Sequence, residues 1–284
     1  MFGLSARAAQ HYMVLARRCN ARRLSSGVPG LLEVQQEGGV RTITLADAKT
    51  RNSLSLEMLA GLRAAVTEEC PALRCVVIRA AGPVFSAGHN LKQILSGDRS
   101  EHTEVFSSCA SLMLSLQQLP VPVVAQVDGV AAAAGCQLVA ACDIVIATEH
   151  STFSTPGGSV GIFCSTPGIP LVRCVPRKVS AAMLLTGRAI TAQQALQAGL
   201  VSIVVPKQQL EQEVASVVAA IVSKSCAVLA LGKRFMYAQM QMTEEEAYRE
   251  GTCVMVNNVN MVDGQEGIKS FVEKRKPVWT HKFD

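Results

Sequence analysis

Short apolar runs recur along the first two-thirds of the chain and alternate with longer stretches of helical spacing. Such runs, when bounded by Gly, Pro or Asp, are typical of buried strands. They cover residues 31–46, 75–80, 121–127, 143–148 and 201–205. The first run is divided by Gly38-Gly39, which predicts a hairpin. Strands that alternate with helices predict an α/β fold built from parallel βαβ units.

Helices are predicted where apolar residues recur three or four positions apart. They cover residues 55–69, 101–118 and, with breaks, 165–199. From Lys207 onward the chain is predicted to be almost wholly helical. The predicted helices there are 207–223, 226–241, 243–259 and 263–275. The chain is therefore divided into a leader (1–27), an α/β core (28–205) and a helical C-terminal part (206–284).

Charge is distributed unevenly along the chain. The formal net charge is +5, but five arginines lie within the first 27 residues and no acidic residue precedes Glu33. The 22 basic residues that follow the leader are balanced by 22 acidic ones, so neither a nucleic acid nor a membrane surface is indicated as a partner. The Arg-rich leader is typical of a mitochondrial transit peptide, the alternative being a disordered basic tail. No apolar stretch predicts an integral membrane segment.

The ten cysteines are scattered, with no CxxC pair and no Cys/His spacing typical of a metal site. Cys75, Cys136 and Cys142 lie in apolar runs, where cysteine acts as a small hydrophobic residue. This pattern indicates a reduced compartment, such as the mitochondrial matrix, and not a disulfide framework. Neither a metal nor a resident cofactor is expected.

Two glycine-containing turns that follow core strands hold the candidate chemistry. The first is GPVFSAGHNLKQ (82–93), in which Gly88 allows a tight turn and His89 is expected to open a short helix. The second is the segment Gly129–Gly135, which is expected to lead directly into a helix. Each turn can present an exposed N–H group, and two such donors on one oxygen would form an oxyanion hole. Helix packing alone is the alternative explanation of these glycines.

These segments resemble the crotonase (enoyl-CoA hydratase/isomerase) superfamily. The similarity is strongest in two segments, FSAGHNLK (85–92) and VPVVAQVDGVAAAAGCQLVAACDIVIAT (121–148). Further matching segments are RNSLS, FSTP, TGRAITAQQALQAGLVSIVV and DGQEGIKSFVEKRKPVW. Together these segments extend the similarity over residues 31–279. The resemblance implies a ββα superhelix, in which the helical C-terminal part serves trimerisation. Homotrimers or hexamers are expected.

The resemblance also implies an acyl-CoA thioester as substrate or ligand. Its thioester oxygen would lie between the backbone N–H groups of His89 and Ala134. Contacts with CoA or substrate are implied for Ser86, Ala87, Gly88, His89, Asn90, Lys92, Gly135 and Lys274. For Lys92, and for Lys274 on the predicted last helix, exposure to solvent is the alternative.

The chain departs from the family at its acids. Hydratases have two glutamates at the positions of Gln137 and Gly157, and related hydrolases have an aspartate at the position of Ser165. An amide cannot take up a proton at neutral pH, and a catalytic acid or base contributes ~10²–10⁴ in rate. Weak or absent hydratase activity is therefore predicted. Another crotonase chemistry, such as thioester hydrolysis or decarboxylation, and a non-catalytic regulatory role remain as alternatives.

Other side chains could replace the missing acids. His89 could act as a base, the alternative being a packed ring beside the CoA channel. Cys164 could be a nucleophile, the alternative being a buried structural thiol. Glu101 and Glu104 could approach the acyl pocket. Structural roles are predicted for Ser165 as a helix N-cap, Asp128 in a turn and Asp143 at the start of a strand.

Overall fold

A computed structural model of the 284-residue chain describes residues 28–282 and the backbone of Arg22 and Arg23. The predicted transit peptide (1–27) lies outside the described residues apart from these two arginines. Their backbone forms a two-residue strand that pairs antiparallel with Gln35 and Gln36.

The described part of the chain contains eleven strands and eleven α-helices. The strands are β1 (Arg22–Arg23), β2 (Leu32–Glu37), β3 (Val40–Leu45), β4 (Cys75–Ala80), β5 (Val84–Ser86), β6 (Val123–Val127), β7 (Val130–Ala132), β8 (Ile144–Thr148), β9 (Thr152–Ser154), β10 (Ile190–Thr191) and β11 (Ile203–Val205). The helices are α1 (Leu56–Thr67), α2 (Leu91–Ser96), α3 (Arg99–Gln118), α4 (Ala134–Ala141), α5 (Ser165–Cys174), α6 (Arg177–Thr186), α7 (Ala192–Gln197), α8 (Leu210–Val222), α9 (Cys226–Gln239), α10 (Glu244–Asn260) and α11 (Val262–Val272).

The larger sheet has seven strands in the order β1-β2-β3-β4-β6-β8-β11. From β3 onward each strand is parallel to its neighbour, with Ile43 opposite Ile78 and Val124 opposite Ile144. The antiparallel pair β2–β3 is the hairpin predicted at Gly38-Gly39. The predicted α/β alternation is therefore confirmed.

A second, four-stranded sheet has the order β10-β9-β7-β5. Its strands are two or three residues long, too short to show an alternating pattern in the sequence. The expectation that Gly129 leads directly into a helix was wrong, because β7 lies between Gly129 and α4. This sheet matters for function because it aligns the ends of β5 and β7 side by side.

The hydrophobic core covers both faces of the larger sheet. On one face, α1, α3 and α4 bury Leu62, Leu112 and Leu138 completely. On the other face, α8 presents apolar residues four positions apart, which lie on one side of a helix. This second cluster consists of Cys75, Val77, Val124, Ile146, Val205, Leu210, Val214 and Val218.

A buried ion pair connects the α/β core to the C-terminal helices. Lys233 on α9 donates to the Asp143 carboxylate at 2.6 Å and to the carbonyl oxygens of Leu116 and Val121. The Tyr237 hydroxyl donates to the other carboxylate oxygen of Asp143 at 2.7 Å. The Lys233 and Asp143 side chains are only 6% and 9% exposed. These contacts explain the structural role predicted for Asp143, because its carboxylate joins the start of a core strand to the C-terminal helix α9.

We expect Lys233→Met to lower the free energy of unfolding by about 3–5 kcal/mol, because it leaves the Asp143 carboxylate buried without a counter-charge. Urea denaturation at neutral pH measures this change. The control is Arg249→Met, which removes a cation from the exposed pair with Glu250 and should change stability by less than about 0.5 kcal/mol. Equal effects of the two substitutions would contradict a special role for the buried pair.

Candidate functional site

The first candidate turn is fixed by Ser86, the last residue of β5. Its hydroxyl donates to the Asn52 carbonyl oxygen at 2.8 Å and accepts the Gly88 N–H at 3.2 Å. The Leu54 N–H donates to the Gly88 carbonyl oxygen at 2.8 Å. Gly88 has φ +92°, in the left-handed region that favours glycine. The backbone around His89 is thus held on both sides.

The second turn contains an alanine in a conformation that favours glycine. Ala133 has φ 49° and ψ −119°, and α4 begins at the next residue, Ala134. The Ala133 N–H donates to the Ser154 carbonyl oxygen on β9 at 2.9 Å. Such a backbone conformation costs about 1–3 kcal/mol and persists only where neighbouring contacts impose it.

The two turns touch each other. A Cβ atom added at Gly88 would lie 3.1 Å from the Ala134 nitrogen, and one added at Gly135 would overlap the Ser86 carbonyl oxygen. Among residues 28–282 no acceptor is found for the N–H groups of His89 and Ala134. Two free donors at adjoining turns are what an oxyanion hole requires.

The His89 ring is held beside this site. Its Nδ1 lies 3.2 Å from the Leu54 carbonyl oxygen, and the ring packs edge-to-face on Phe106 with centroids 5.2 Å apart. A carbonyl oxygen can only accept, so Nδ1 holds the proton and Nε2 has a free lone pair. Nε2 is buried without a hydrogen-bond partner in the described structure. Burial lowers the pKa of His89 despite the opposing effect of the Leu54 carbonyl, so the ring is neutral near pH 7.

Gln137 lies on the first turn of α4 and is only 3% exposed. Its Oε1 accepts a weak hydrogen bond from the Cys109 thiol at 3.8 Å, which leaves the amide N–H groups for the cavity that Gln137 lines. Phe106 and Cys109 are three positions apart on α3, so they share one helix face. His89 and Gln137 therefore contact neighbouring places on the same helix.

Gly157 lies in a turn that leaves no room for a side chain. It belongs to a 3₁₀ helix, Pro156–Val160. Its carbonyl oxygen accepts the Ile162 N–H at 2.9 Å and its own N–H donates to the Cys164 sulfur at 3.3 Å. A Cβ atom at Gly157 would overlap the Ile162 carbonyl oxygen and lie 2.8 Å from the Cys164 sulfur. A glutamate here would require the turn to open.

The two candidate residues that follow this turn are Cys164 and Ser165. Burial raises the pKa of the Cys164 thiol, although the Gly157 N–H opposes that effect, which favours a structural thiol over a nucleophile. The N-cap role predicted for Ser165 was wrong. Ser165 is the first helical residue of α5, the cap position is Cys164, and no side chain caps this helix.

The remaining residues of the first turn hold the start of α2. Asn90 is its N-cap and accepts the N–H groups of Lys92 and Gln93 at 3.1 and 3.4 Å, so the helix begins two residues later than predicted for His89. The Ala87 N–H donates to the Arg51 carbonyl oxygen. Within residues 86–92, therefore, Ala87, Leu91 and Lys92 are exposed, whereas Ser86 and Gly88 are buried.

Four other candidates lie elsewhere. Lys274 is exposed and follows α11, with φ 53°, so it is not on the last helix as predicted. Glu101 is used in the capping box with Asp98 at the start of α3, and Glu104 is exposed. Neither glutamate lines the cavity beside Gln137. Asp128, predicted in a turn, pairs with Lys207 at 3.0 Å, and its other carboxylate oxygen lies 2.8 Å from His150 Nε2.

A cavity of about 510 Å³ extends from Gln137 between α3, α4 and α5 to α9. Sequence reasoning did not find this cavity, nor the contacts of Phe106 and Cys109. The available signal was the apolar spacing of α3, which does not show whether a face meets the core or a cavity.

No group of His, Cys, Asp or Glu within residues 28–282 could hold a metal ion. In the same range no single helix is long and apolar enough to cross a membrane. By length and composition alone, one pair bent by 101°, Lys207–Val222 with Cys226–Gln239, meets the criterion.

The fold and the paired turns define an α/β protein with the crotonase fold. The sequence model of the enoyl-CoA hydratase/isomerase family matches residues 35–282. The chain therefore belongs to this family.

The chain is similar to proteins named enoyl-CoA hydratase domain-containing protein 3, mitochondrial. It is 51% identical to the Xenopus laevis protein over 254 residues, with 88% of this chain and 86% of the relative covered. It is 47% identical to the Homo sapiens protein over 257 residues, with 89% and 85% covered.

Solved structures support the same assignment. The crystal structure of human enoyl coenzyme A hydratase domain-containing protein 3 has a TM-score of 0.86 at 47% identity, with 87% of this chain and 99% of that chain covered. An enoyl-CoA hydratase from Mycobacterium smegmatis also has a TM-score of 0.86, at 42% identity, with 88% and 98% covered. The predicted crotonase fold is thereby confirmed.

We expect Ala133→Gly to raise the free energy of unfolding by about 1 kcal/mol, because glycine adopts φ 49° without strain. Relief of the backbone strain stabilises the folded state, and the greater conformational entropy of glycine in the unfolded chain offsets part of that gain. Chemical denaturation measures it. The control is Ala60→Gly on the exposed face of α1, which should cost about 1 kcal/mol. If both substitutions destabilise equally, Ala133 is not strained.

Proposed function

We propose that this protein binds acyl-CoA thioesters and polarises the thioester carbonyl without hydrating enoyl-CoA at an ordinary rate. The observation behind the proposal is the adjoining pair of free N–H donors, from His89 and Ala134, beside positions without an acid. A thioester oxygen placed between the two donors would be stabilised as it gains negative charge. Substrate or ligand contacts would come from residues 86–92 and Gly135, and Lys274 remains a candidate for the CoA phosphates.

The proposed loss of hydration follows from Gln137 and Gly157. Hydration of an enoyl thioester needs groups that activate water and move a proton at the α-carbon. The Gln137 amide does neither at neutral pH. At Gly157 the turn leaves no space for a carboxylate side chain. The donors that would polarise the carbonyl belong to the backbone, so they do not depend on either side chain.

The cellular setting is proposed on two grounds. The relatives are named mitochondrial, and the leader has the composition of a transit peptide. A role in fatty-acid metabolism in the mitochondrial matrix is consistent with both. The homotrimer or hexamer is proposed from the family resemblance alone. No resident cofactor is proposed, and acyl-CoA is the ligand.

We expect the purified protein to bind butyryl-CoA in calorimetry and to hydrate crotonyl-CoA about 10²–10⁴-fold more slowly than a bacterial enoyl-CoA hydratase assayed alongside it. Ala134→Pro removes one proposed donor and should weaken butyryl-CoA binding about five- to tenfold. Proline is tolerated at the first position of a helix, which Ala134 occupies.

The matched control is Ala134→Gly, which keeps the N–H group and should bind butyryl-CoA like the wild type. Hydration at the rate of an ordinary hydratase would contradict the proposed loss of activity. Absence of butyryl-CoA binding would contradict the proposed ligand and favour a non-catalytic regulator.

A second candidate function is proton transfer at the α-carbon of the bound thioester. The observation that favours it is the free, buried Nε2 of His89. A neutral imidazole next to a polarised carbonyl can accept the α-proton and return it. The balanced step is reversible exchange of that proton with water, with no bond to oxygen formed.

We expect the protein to exchange the α-protons of butyryl-CoA in deuterated water, measured by mass spectrometry, and His89→Gln to abolish the exchange. Because burial lowers the pKa of His89 below 6.5, the base form predominates at neutral pH. The rate should therefore be constant from pH 7 to 8 and should fall as the pH drops below 6.5. His102→Gln on α3 is the control and should leave the rate unchanged. Equal exchange by wild type and His89→Gln would exclude His89 as the base.

A further inference from the structure

The cavity that begins at Gln137 is a groove with a definite direction. Its inner end is lined by Gln137, three residues after Ala134 on α4, and by Thr166 at the start of α5. Its outer end lies near the buried pair, because Lys233 bonds both Asp143 and the Leu116 carbonyl oxygen. The groove therefore leads from the thioester site towards α9.

The walls of the groove are single faces of two helices. On α3 the lining starts at Ala110 and ends at Gln117, and on α5 it starts at Thr166 and ends at Cys174. Seven residues of helix rise about 10 Å. Helix α3 runs from the inner end outwards, because Cys109 contacts Gln137 and the Leu116 carbonyl oxygen contacts Lys233. Between the ends the lining is apolar, and Ala140 on the floor is small. This shape accommodates the extended carbon chain of a medium-length acyl group.

The outer end of the groove differs from its walls. Gln117, Arg173 and Gln241 bring polar side chains to the lining, whereas the Tyr237 hydroxyl, which also lines the groove, already donates to Asp143. An apolar chain end against Gln117, Arg173 and Gln241 would leave their donors without partners when water is displaced, which is unfavourable. A chain that ends in a polar group would satisfy them instead.

The charge at this end is positive. Only Asp143 and Arg173 among the lining residues are charged, and Asp143 is neutralised by Lys233. The Arg173 guanidinium donates to the Ile169 carbonyl oxygen at 3.0 Å, and within residues 28–282 no carboxylate pairs with it. A guanidinium that keeps further donors free is well suited to a carboxylate.

We propose that the groove selects acyl chains with a carboxylate at the far end, that is, dicarboxylic acyl-CoA thioesters of medium length, and that Arg173 binds this carboxylate. This inference rests on the proposed acyl-CoA binding and adds the class of acyl group. Gln117 and Gln241 provide further donors at the same end.

The test compares calorimetric affinities for suberoyl-CoA and octanoyl-CoA, which have the same chain length and differ in the terminal carboxylate. We expect the wild type to prefer suberoyl-CoA. Arg173→Gln should shift the ratio of the two dissociation constants about fivefold towards octanoyl-CoA, the effect of a partly exposed ion pair. Arg173→Lys should keep part of the preference. Arg63→Gln on α1 removes the same charge far from the groove and should leave the ratio unchanged.

Butyryl-CoA, which is too short to reach Arg173, separates this inference from the proposed function. If butyryl-CoA binds and the ratio for the longer pair is the same in Arg173→Gln and Arg63→Gln, the inference about Arg173 is wrong while acyl-CoA binding stands. If no thioester binds, both fail. Ala140→Leu should weaken both eight-carbon ligands and spare butyryl-CoA, and uniform binding of all three would show that the chain does not follow this groove.

Discussion

The close approach of two backbone turns is the constraint on which the rest of the site depends. Gly88 lies against Ala133 and Ala134, and Gly135 lies against the Ser86 carbonyl. The second sheet makes this close approach possible, because β5 and β7 pair in parallel and each of the two turns follows one of these strands. The strain at Ala133 is the cost, about 1–3 kcal/mol, and the bond from Ala133 to Ser154 on β9 holds it in place.

Gln137 and Gly157, the two positions at which the family resemblance implies glutamates, lie in different structural settings. At Gln137 the replacement is conservative in shape, because an amide fills the volume of a carboxylate and bonds Cys109. At Gly157 the change extends to the backbone, which closes through Ile162 and Cys164. A single substitution could place a glutamate at position 137, whereas a glutamate at position 157 also requires the turn to be rebuilt. The two positions are therefore not equivalent.

The order of strands and helices could be predicted because long elements show clear periods, as the β2–β3 hairpin and α1 demonstrate. The short strands β5, β7 and β9 could not, because three residues give no period. Similarity to the family identified the candidate positions His89, Ala134, Gln137 and Gly157. It did not predict the free Nε2 of His89 or the turn at Gly157, since both depend on contacts between segments distant in the sequence.

In the proposed site, different groups contribute to ligand affinity and to the rate of reaction. Interactions that bind a thioester equally in its ground state and its transition state give affinity without rate. In the proposed binding mode, the groove from Gln137 to Arg173 is of this kind, because it would contact carbon atoms remote from the carbonyl. The His89 and Ala134 donors would lower a barrier, because their bonds strengthen as charge develops on oxygen. With no carboxylate at Gln137 or Gly157, the reactions that these proposed donors would assist are those that pass through an enolate, and the base proposed for them is His89.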